Sequence, residues 1–177
     1  VVVPGRNPLL LAKELAHLDR LTSGRLLLAF MPGIGSPVER AALGVEGVDR
    51  NVRLARTIEI CRRWWAGEAV DHRSETFECA ALSLPATPLQ QPLEIWLGGV
   101  GPAALERAGR LSDGWLGANL TPAEAAVAVR RIAEIATDAD HEIDPEHYGL
   151  SIPYLREPAD DRLLAALRRR RPDGDIT

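Results

Sequence analysis

The chain has 177 residues, 46% of them hydrophobic and 26% charged, enough to bury one sizeable core and short for two independent ones. Its formal charge of -4 supplies no basic field for a phosphate backbone, and no apolar run approaches the ~20 residues that span a bilayer. Neither nucleic-acid binding nor membrane insertion is therefore expected, and the spread of Gly and Pro without a period excludes fibrous and disordered classes.

Cys61 and Cys79 form neither a Cys-x-x-Cys motif nor a dense framework, which fits a cytoplasmic protein with two buried thiols. Val1, Val2 and Val3 read as the tail of a strand whose beginning precedes them, because they lack the basic and long apolar regions of a signal peptide. Asn7 supplies an N-cap before Pro8 at the first helical position. Leu11, Leu15 and Leu18 follow at helical spacing, so residues 8–22 are predicted helical and Ser23-Gly24 stops them. The run from Leu26 to Met31 is apolar throughout and of strand length, and is expected to be buried on both faces.

A short helix is predicted near residues 37–43. Leu54, Ile58, Cys61 and Trp65 then mark the buried stripe of a longer helix, with Arg53, Arg56 and Arg63 on its wetter side and Gly67 as a left-handed terminator. Residues 68–92 read as an excursion: alternation from Ala69 to Cys79 suggests a hairpin, and Pro85, Pro88 and Pro92 impose an extended path. Regularity returns with a strand over Ile95, Trp96 and Leu97, a glycine turn, and a helix from Pro102 to Arg110. Asp113-Gly114 leads into a strand over residues 115–119. Thr121-Pro122, with Glu124 at the capping-box position, starts a helix to about Ala139. A strand over Leu150, Ser151 and Ile152 follows. Asp160 or Asp161 caps a last helix through Leu163, Leu164 and Leu167, ending in the arginine run 168–171.

Strands that alternate with helices imply parallel pairing through right-handed crossovers, which leaves a doubly wound sheet or a (β/α) barrel, both within a single domain over residues 1–177. About five strands are predicted, counting the stub at Val1 to Val3. A closed barrel needs eight strands and typically ~250 residues, so a barrel here is expected to be incomplete at its N-terminus.

In either architecture ligands sit beyond the carboxyl ends of the strands. The segment Gly98-Gly99-Val100-Gly101-Pro102 has the composition of a phosphate cradle: glycines let the backbone approach an anion, and the helix that follows presents free N–H groups and its positive end. A tight strand-to-helix turn without a ligand has the same composition. Gly99-x-Gly101-x-x-Ala104 also fits a relaxed dinucleotide fingerprint, but the next strand ends in Gly117-Ala118-Asn119 with no acid for a ribose hydroxyl, and Pro102 lacks an N–H.

His17, His72, His141 and His147 show no metal-ligand spacing, so no metal site is expected. No Gly-x-Ser-x-Gly elbow marks a serine nucleophile, and Cys61 lies on a helix's apolar stripe. The arginine run reads as a solvated helix end, and Trp64-Trp65 as helix packing.

Several segments taken together resemble the luciferase-like monooxygenase superfamily. They are Pro4-Gly5-Arg6-Asn7-Pro8, Leu18-Asp19-Arg20-Leu21-Thr22-Ser23-Gly24-Arg25, Ala42-Leu43-Gly44-Val45, Trp65-Ala66-Gly67-Glu68, Ile95-Trp96-Leu97-Gly98-Gly99 and Ala108-Gly109-Arg110-Leu111-Ser112-Asp113-Gly114-Trp115. The closing Asp144-Pro145-Glu146-His147-Tyr148-Gly149 is similar to the branch of oxidoreductases that depend on the deazaflavin coenzyme F420. The resemblance implies a (β/α)8 TIM barrel of the luciferase-like type. Its cofactor phosphate would lie on Gly98, Gly99, Val100, Gly101 and Pro102, and residues 32–36, with Gly33, Gly35 and Ser36, would approach the ring or substrate.

The implied chemistry is hydride transfer between F420 and a small organic substrate, the protein supplying orientation and a dry site. An FMN-dependent monooxygenase is the alternative, since both cofactors present a ribityl phosphate. A non-catalytic barrel homologue and a truncated chain that binds nothing are two more. No catalytic residue is assigned, because the family's acid–base residues are expected upstream of Val1. An open half-barrel would expose two sheet edges, so the piece is expected to pair with itself as a homodimer, aggregate, or fold only with its missing half.

Overall fold

A computed structural model describes residues 1–33, 36–74, 77–152, 161–162 and 164–165. The first helix, α1 (Pro8–Leu21), starts where Asn7 accepts hydrogen bonds from the amides of Leu9 and Leu10, and ends at Ser23 and Gly24, both at positive φ. Its buried stripe continues from Leu11, Ala12, Leu15 and Ala16 not to Leu18, which is 42% exposed, but to Asp19, which is 0% exposed. Position 19 follows 15 at the helical repeat, and a carboxylate is tolerated there because it is fully hydrogen-bonded. Asp19 accepts from the Leu89 amide at 2.7 Å, the Gln90 amide at 3.0 Å and Gln90 Nε2 at 2.6 Å.

The strand β1 (Leu28–Phe30) is followed by α2 (Pro37–Ala42) and α3 (Arg50–Trp65). Asp49 caps α3 through the Asn51 and Val52 amides, and Gly67 follows its end at φ +84°. Leu54, Ile58, Cys61, Trp64 and Trp65 are buried. Buried indole N–H groups require acceptors: Trp65 donates to the Ala12 carbonyl, tying α3 to α1, and Trp64 donates to the Leu82 carbonyl. That second bond holds the antiparallel hairpin of β2 (Val70–Arg73) and β3 (Glu78–Leu82) against α3. Cys79, expected to be buried, is only half-buried, because it sits on this two-stranded ribbon rather than in the main sheet.

The remaining elements are β4 (Ile95–Gly98), α4 (Pro102–Leu111), β5 (Gly114–Ala118), α5 (Pro122–Asp138) and β6 (Tyr148–Ser151). The capping box at the start of α5 is formed by Thr121 and Glu124. The helix expected after Asp160 and the arginine run 168–171 lie, apart from residues 161–162 and 164–165, outside the described residues.

The sheet order is β1-β4-β5-β6, all parallel, and Val2 bridges Met31 in parallel on the outer side of β1. Spatial order therefore follows chain order with no reversal. A doubly wound sheet needs a reversal, so this is the winding of a (β/α) barrel. The core lies between the helices and one sheet face, where Phe30, Ile95, Leu97 and Trp115 meet Leu11, Ile58, Ala108 and Ile132.

The run 26–31 departs from its expectation of burial on both faces. Phe30 is fully buried, whereas Leu27 is 61% and Met31 42% exposed. Among the described residues the helices cover one face, and the alternating residues of a strand point to the other. On that second face the Trp96 ring lies across β5, where a Cβ at Gly114 would come within 2.5 Å of the indole.

Candidate functional site

Parallel register brings the carboxyl ends of β1, β4, β5 and β6 to one edge of the sheet. Phe30 is beside Leu97, Gly98 beside Leu116, and Ala118 beside Ser151. Residues 31–33, 99–101 and 119–121 leave β1, β4 and β5 at this edge.

Gly98 closes β4, and a Cβ there would lie 3.3 Å from the Leu116 carbonyl. Gly99 has φ +107°, and a Cβ on it would stand 2.7 Å from the Ala104 Cβ. Only glycine fits without strain, because the turn folds back onto the first turn of α4. Gly101 is the N-cap of α4 and gives no side-chain cap, and Pro102 follows at the first helical position. The Gly101 carbonyl already takes the amides of Ala104 and Leu105. Since Pro102 has no N–H, the amides presented at this helix end are those of Val100, Gly101 and Ala103. All five residues from 98 to 102 are exposed or half-buried. An exposed, uncapped helix end behind a glycine turn can hold an anion through several backbone donors and the helix dipole.

One residue of this turn's support was not legible as such in the sequence. Trp115, fully buried on β5, donates its indole Nε1–H to the Gly99 carbonyl at 2.9 Å. Its ring occupies the space above Gly117, where a Cβ would come within 2.3 Å.

The loop after β1 is organised differently. Gly33 has φ +84°, and the space beside it is filled by the Glu39 carboxylate, 3.2 Å from a Cβ placed there. Arg50 Nη1 donates to the carbonyls of Pro32, at 2.7 Å, and Gly33, at 3.0 Å. Ser36 is the N-cap of α2, its hydroxyl oxygen accepting from the Glu39 amide. Gly35 lies outside the described residues. Gly33 follows β1 at the same sheet edge as the 98–102 turn, and both Gly33 and Ser36 have local structural duties.

The opposite end of the sheet is built for support. Asp113 accepts from Arg62 Nη2 at 2.7 Å and from the Ile95 amide at 2.8 Å. His141 Nε2 donates to the Ser112 carbonyl, and His147 Nδ1 to that of Asp113. Both histidines fasten the α4–β5 turn at the strand starts, the end of a barrel associated with stability rather than chemistry.

A cleft of about 420 Å³ opens beside the glycine turn, between the first turns of α4 and α5, and is lined by Val100, Leu105, Leu120, Ala123 and Val127. Another, of about 410 Å³, lies between α3 and the hairpin and includes Arg53, Arg56, His72 and Phe77. No helix among the described residues is long and apolar enough to cross a membrane.

Comparison with known proteins accounts for this arrangement. Residues 1–171 match the family described as luciferase-like monooxygenase. The F420-dependent glucose-6-phosphate dehydrogenase of Amycolatopsis mediterranei is 26% identical over 149 residues, covering 78% of this chain and 43% of that protein. The monooxygenase RslO1 of Streptomyces bottropensis superimposes with a TM-score of 0.77 at 24% identity, covering 94% of this chain and 56% of that one. The oxygenating constituent of 3,6-diketocamphane monooxygenase from a Pseudomonas putida plasmid, solved with FMN, superimposes with a TM-score of 0.73 at 18% identity, covering 84% and 45%. The chain thus spans less than half the length of that curated relative. With strands wound in barrel order and a family match over nearly its whole length, the chain belongs to the luciferase-like monooxygenase family.

Proposed function

We propose that the protein to which this chain belongs is an oxidoreductase that moves a hydride between coenzyme F420 and a small organic substrate, with the cofactor phosphate on the 98–102 turn. The observation that carries this reading is the backbone of that turn: Gly99 at φ +107° against Ala104, then an uncapped Gly101 opening α4. These residues fit a ribityl phosphate, because Gly99 and Gly101 bring no side chain to the turn and the amides of Val100, Gly101 and Ala103 have no acceptor among the described residues. The relative from Amycolatopsis supports F420 in particular.

The cofactor supplies the hydride chemistry, and this chain's residues bind and orient it. The amides of Val100, Gly101 and Ala103 hold the phosphate. Pro32 and Gly33, whose carbonyls are pinned by Arg50, follow β1 at the same edge. An FMN-dependent monooxygenase is the second reading, favoured by the FMN-bound structure that shares this fold.

Gly101→Asp in the full-length protein tests the proposal. Nothing lies within 4 Å of a Cβ at Gly101, and its φ is -76°, so the substitution is sterically accommodated and supplies a favourable N-cap. Its carboxylate would occupy the place of the anion. Binding followed by fluorescence should show F420 held by the parent and lost in the variant, with the melting temperature unchanged or higher. FMN preference would support the second reading, and undiminished binding by the variant would remove the phosphate from this turn.

A further inference from the structure

We infer that Trp115 is a positioning residue for the anion cradle, its indole N–H holding the Gly99 carbonyl so that the Val100 amide is turned toward a bound phosphate. The inference rests on the assignment of the phosphate to the 98–102 turn. It begins with the geometry of one peptide plane. The bond between Gly99 and Val100 is trans, so the Gly99 C=O and the Val100 N–H point in opposite directions across it. Whatever fixes the carbonyl also aims the amide.

Trp115 fixes it. Register places Trp115 beside Leu97 on the buried face of the sheet. The indole passes over Gly117 and reaches the Gly99 carbonyl at 2.9 Å from beneath the turn. The Val100 amide therefore faces away from the core and toward the exposed side of the turn, where Val100 itself is 48% exposed. Glycine at 99 has the backbone freedom to let this peptide rotate, and among the described residues no donor other than the indole reaches the Gly99 carbonyl. The packing at Gly117 completes the device: a residue with a side chain there would displace the ring that supplies the donor.

The other two deeply buried tryptophans donate to carbonyls of α1 and β3, at Ala12 and Leu82, neither of them in the 98–102 turn. Trp115 differs in that its acceptor is the peptide whose amide faces the proposed ligand.

The test uses paired probes on the full-length protein: FMN against riboflavin, and F420 against its phosphate-free deazaflavin core. Trp115→Phe retains most of the ring and removes the donor. The expected result is that affinity for the phosphorylated member of each bound pair falls about tenfold, the worth of one hydrogen bond to a charged group. Affinity for the phosphate-free member should stay within about twofold, a split that loss of general packing would not produce. An unchanged ratio between the members of a pair would overturn the inference. A parent protein that does not distinguish them at all would instead overturn the phosphate assignment beneath it.

Should the variant fail to fold, the unmodified protein decides. On titration with inorganic phosphate, the Val100 amide and the Trp115 indole proton should shift together and saturate at one concentration. A Val100 amide that stays still while the Gly101 and Ala103 amides move would reject the role of Trp115.

Discussion

Asp19 on the first helix and Gln90 before the fourth strand are joined twice, the carboxylate taking the Gln90 backbone amide at 3.0 Å and its side-chain amide at 2.6 Å. Gln90 Nε2 also donates to the Leu26 carbonyl at 2.8 Å, so one pair clasps α1, the approach to β1 and the segment leading to β4. Asp19→Ala leaves the Leu89 and Gln90 amides without their acceptor and is expected to cost about 2–4 kcal/mol, measured as a lower denaturation midpoint in urea.

The same carboxylate imposes a pH dependence. Burial pushes its pKa up, but the hydrogen bonds from Gln90 and Leu89 outweigh this and hold it below the ordinary value of 3.8. A depressed acid contributes stability that is complete above the unfolded pKa and is lost as pH falls through the folded one. The stability advantage of the parent over Asp19→Asn should therefore be constant at neutral pH and shrink in acid, below the ordinary aspartate range. An advantage that grows in acid would contradict the assignment.

Where α4 crosses α5, Gly109 allows the helices to touch. A Cβ there would meet the Ile135 Cβ at 2.7 Å and the Ile132 carbonyl at 2.8 Å. Alanine is the better helix former by about 1 kcal/mol, yet a backbone carbonyl cannot swing aside as a side chain can. Gly109→Ala is expected to be destabilising by roughly 1–3 kcal/mol net, read from thermal or chemical denaturation.

The two glycines of the cradle should respond differently to alanine. At Gly99 both the positive φ and the Ala104 contact oppose a side chain, whereas at Gly101 neither does. Gly99→Ala should lower the melting temperature and weaken phosphate-dependent binding. Gly101→Ala should do little to either beyond the loss of a tolerable N-cap, worth a few tenths of a kcal/mol or about 1 at most.

The two thiols should separate kinetically. Burial pushes the Cys61 thiol up to about 12, which removes the reactive thiolate at neutral pH, while Cys79 is half-buried on the hairpin. Alkylation of the folded protein followed by peptide mapping should label Cys79 first and Cys61 only on unfolding. Equal rates would show that α3 opens far more readily than its packing against α1 suggests.

Much of the fold is local enough to be legible in the sequence. Asn7-Pro8, Thr121-Pro122 with Glu124, and the Ser23-Gly24 stop are short-range chemistry, and each helix start follows from residues within a turn of it. The glycine turn could likewise be found from composition, because its backbone conformation requires it. Long-range chemistry could not. The acceptor for Trp115 lies in a turn formed by a different strand, and the donors that make Asp19 acceptable in the core come from backbone amides, which carry no residue-specific signal. The exposed side of residues 26–31 is not legible for another reason: an apolar run says how greasy a strand is, not what covers each face.

The clasp has a further consequence for the order in which the molecule assembles. The β4–α4–β5 unit closes a contact between Ile95 and Asp113 over 18 residues, whereas Asp19 finds the Leu89 and Gln90 amides over 70 and 71. Two doublings of loop length add about 1.2 kcal/mol of closure entropy, a tax on the encounter itself rather than on the finished contact. Strands β4 and β5 are therefore expected to pair first, with α1 and β1 docking on them afterwards, an order that phi-value analysis of Asp19 and Ile95 variants would check. Removing the Asp19 carboxylate would mainly speed the departure of that late-arriving layer and leave the rate of pairing of β4 and β5 almost untouched.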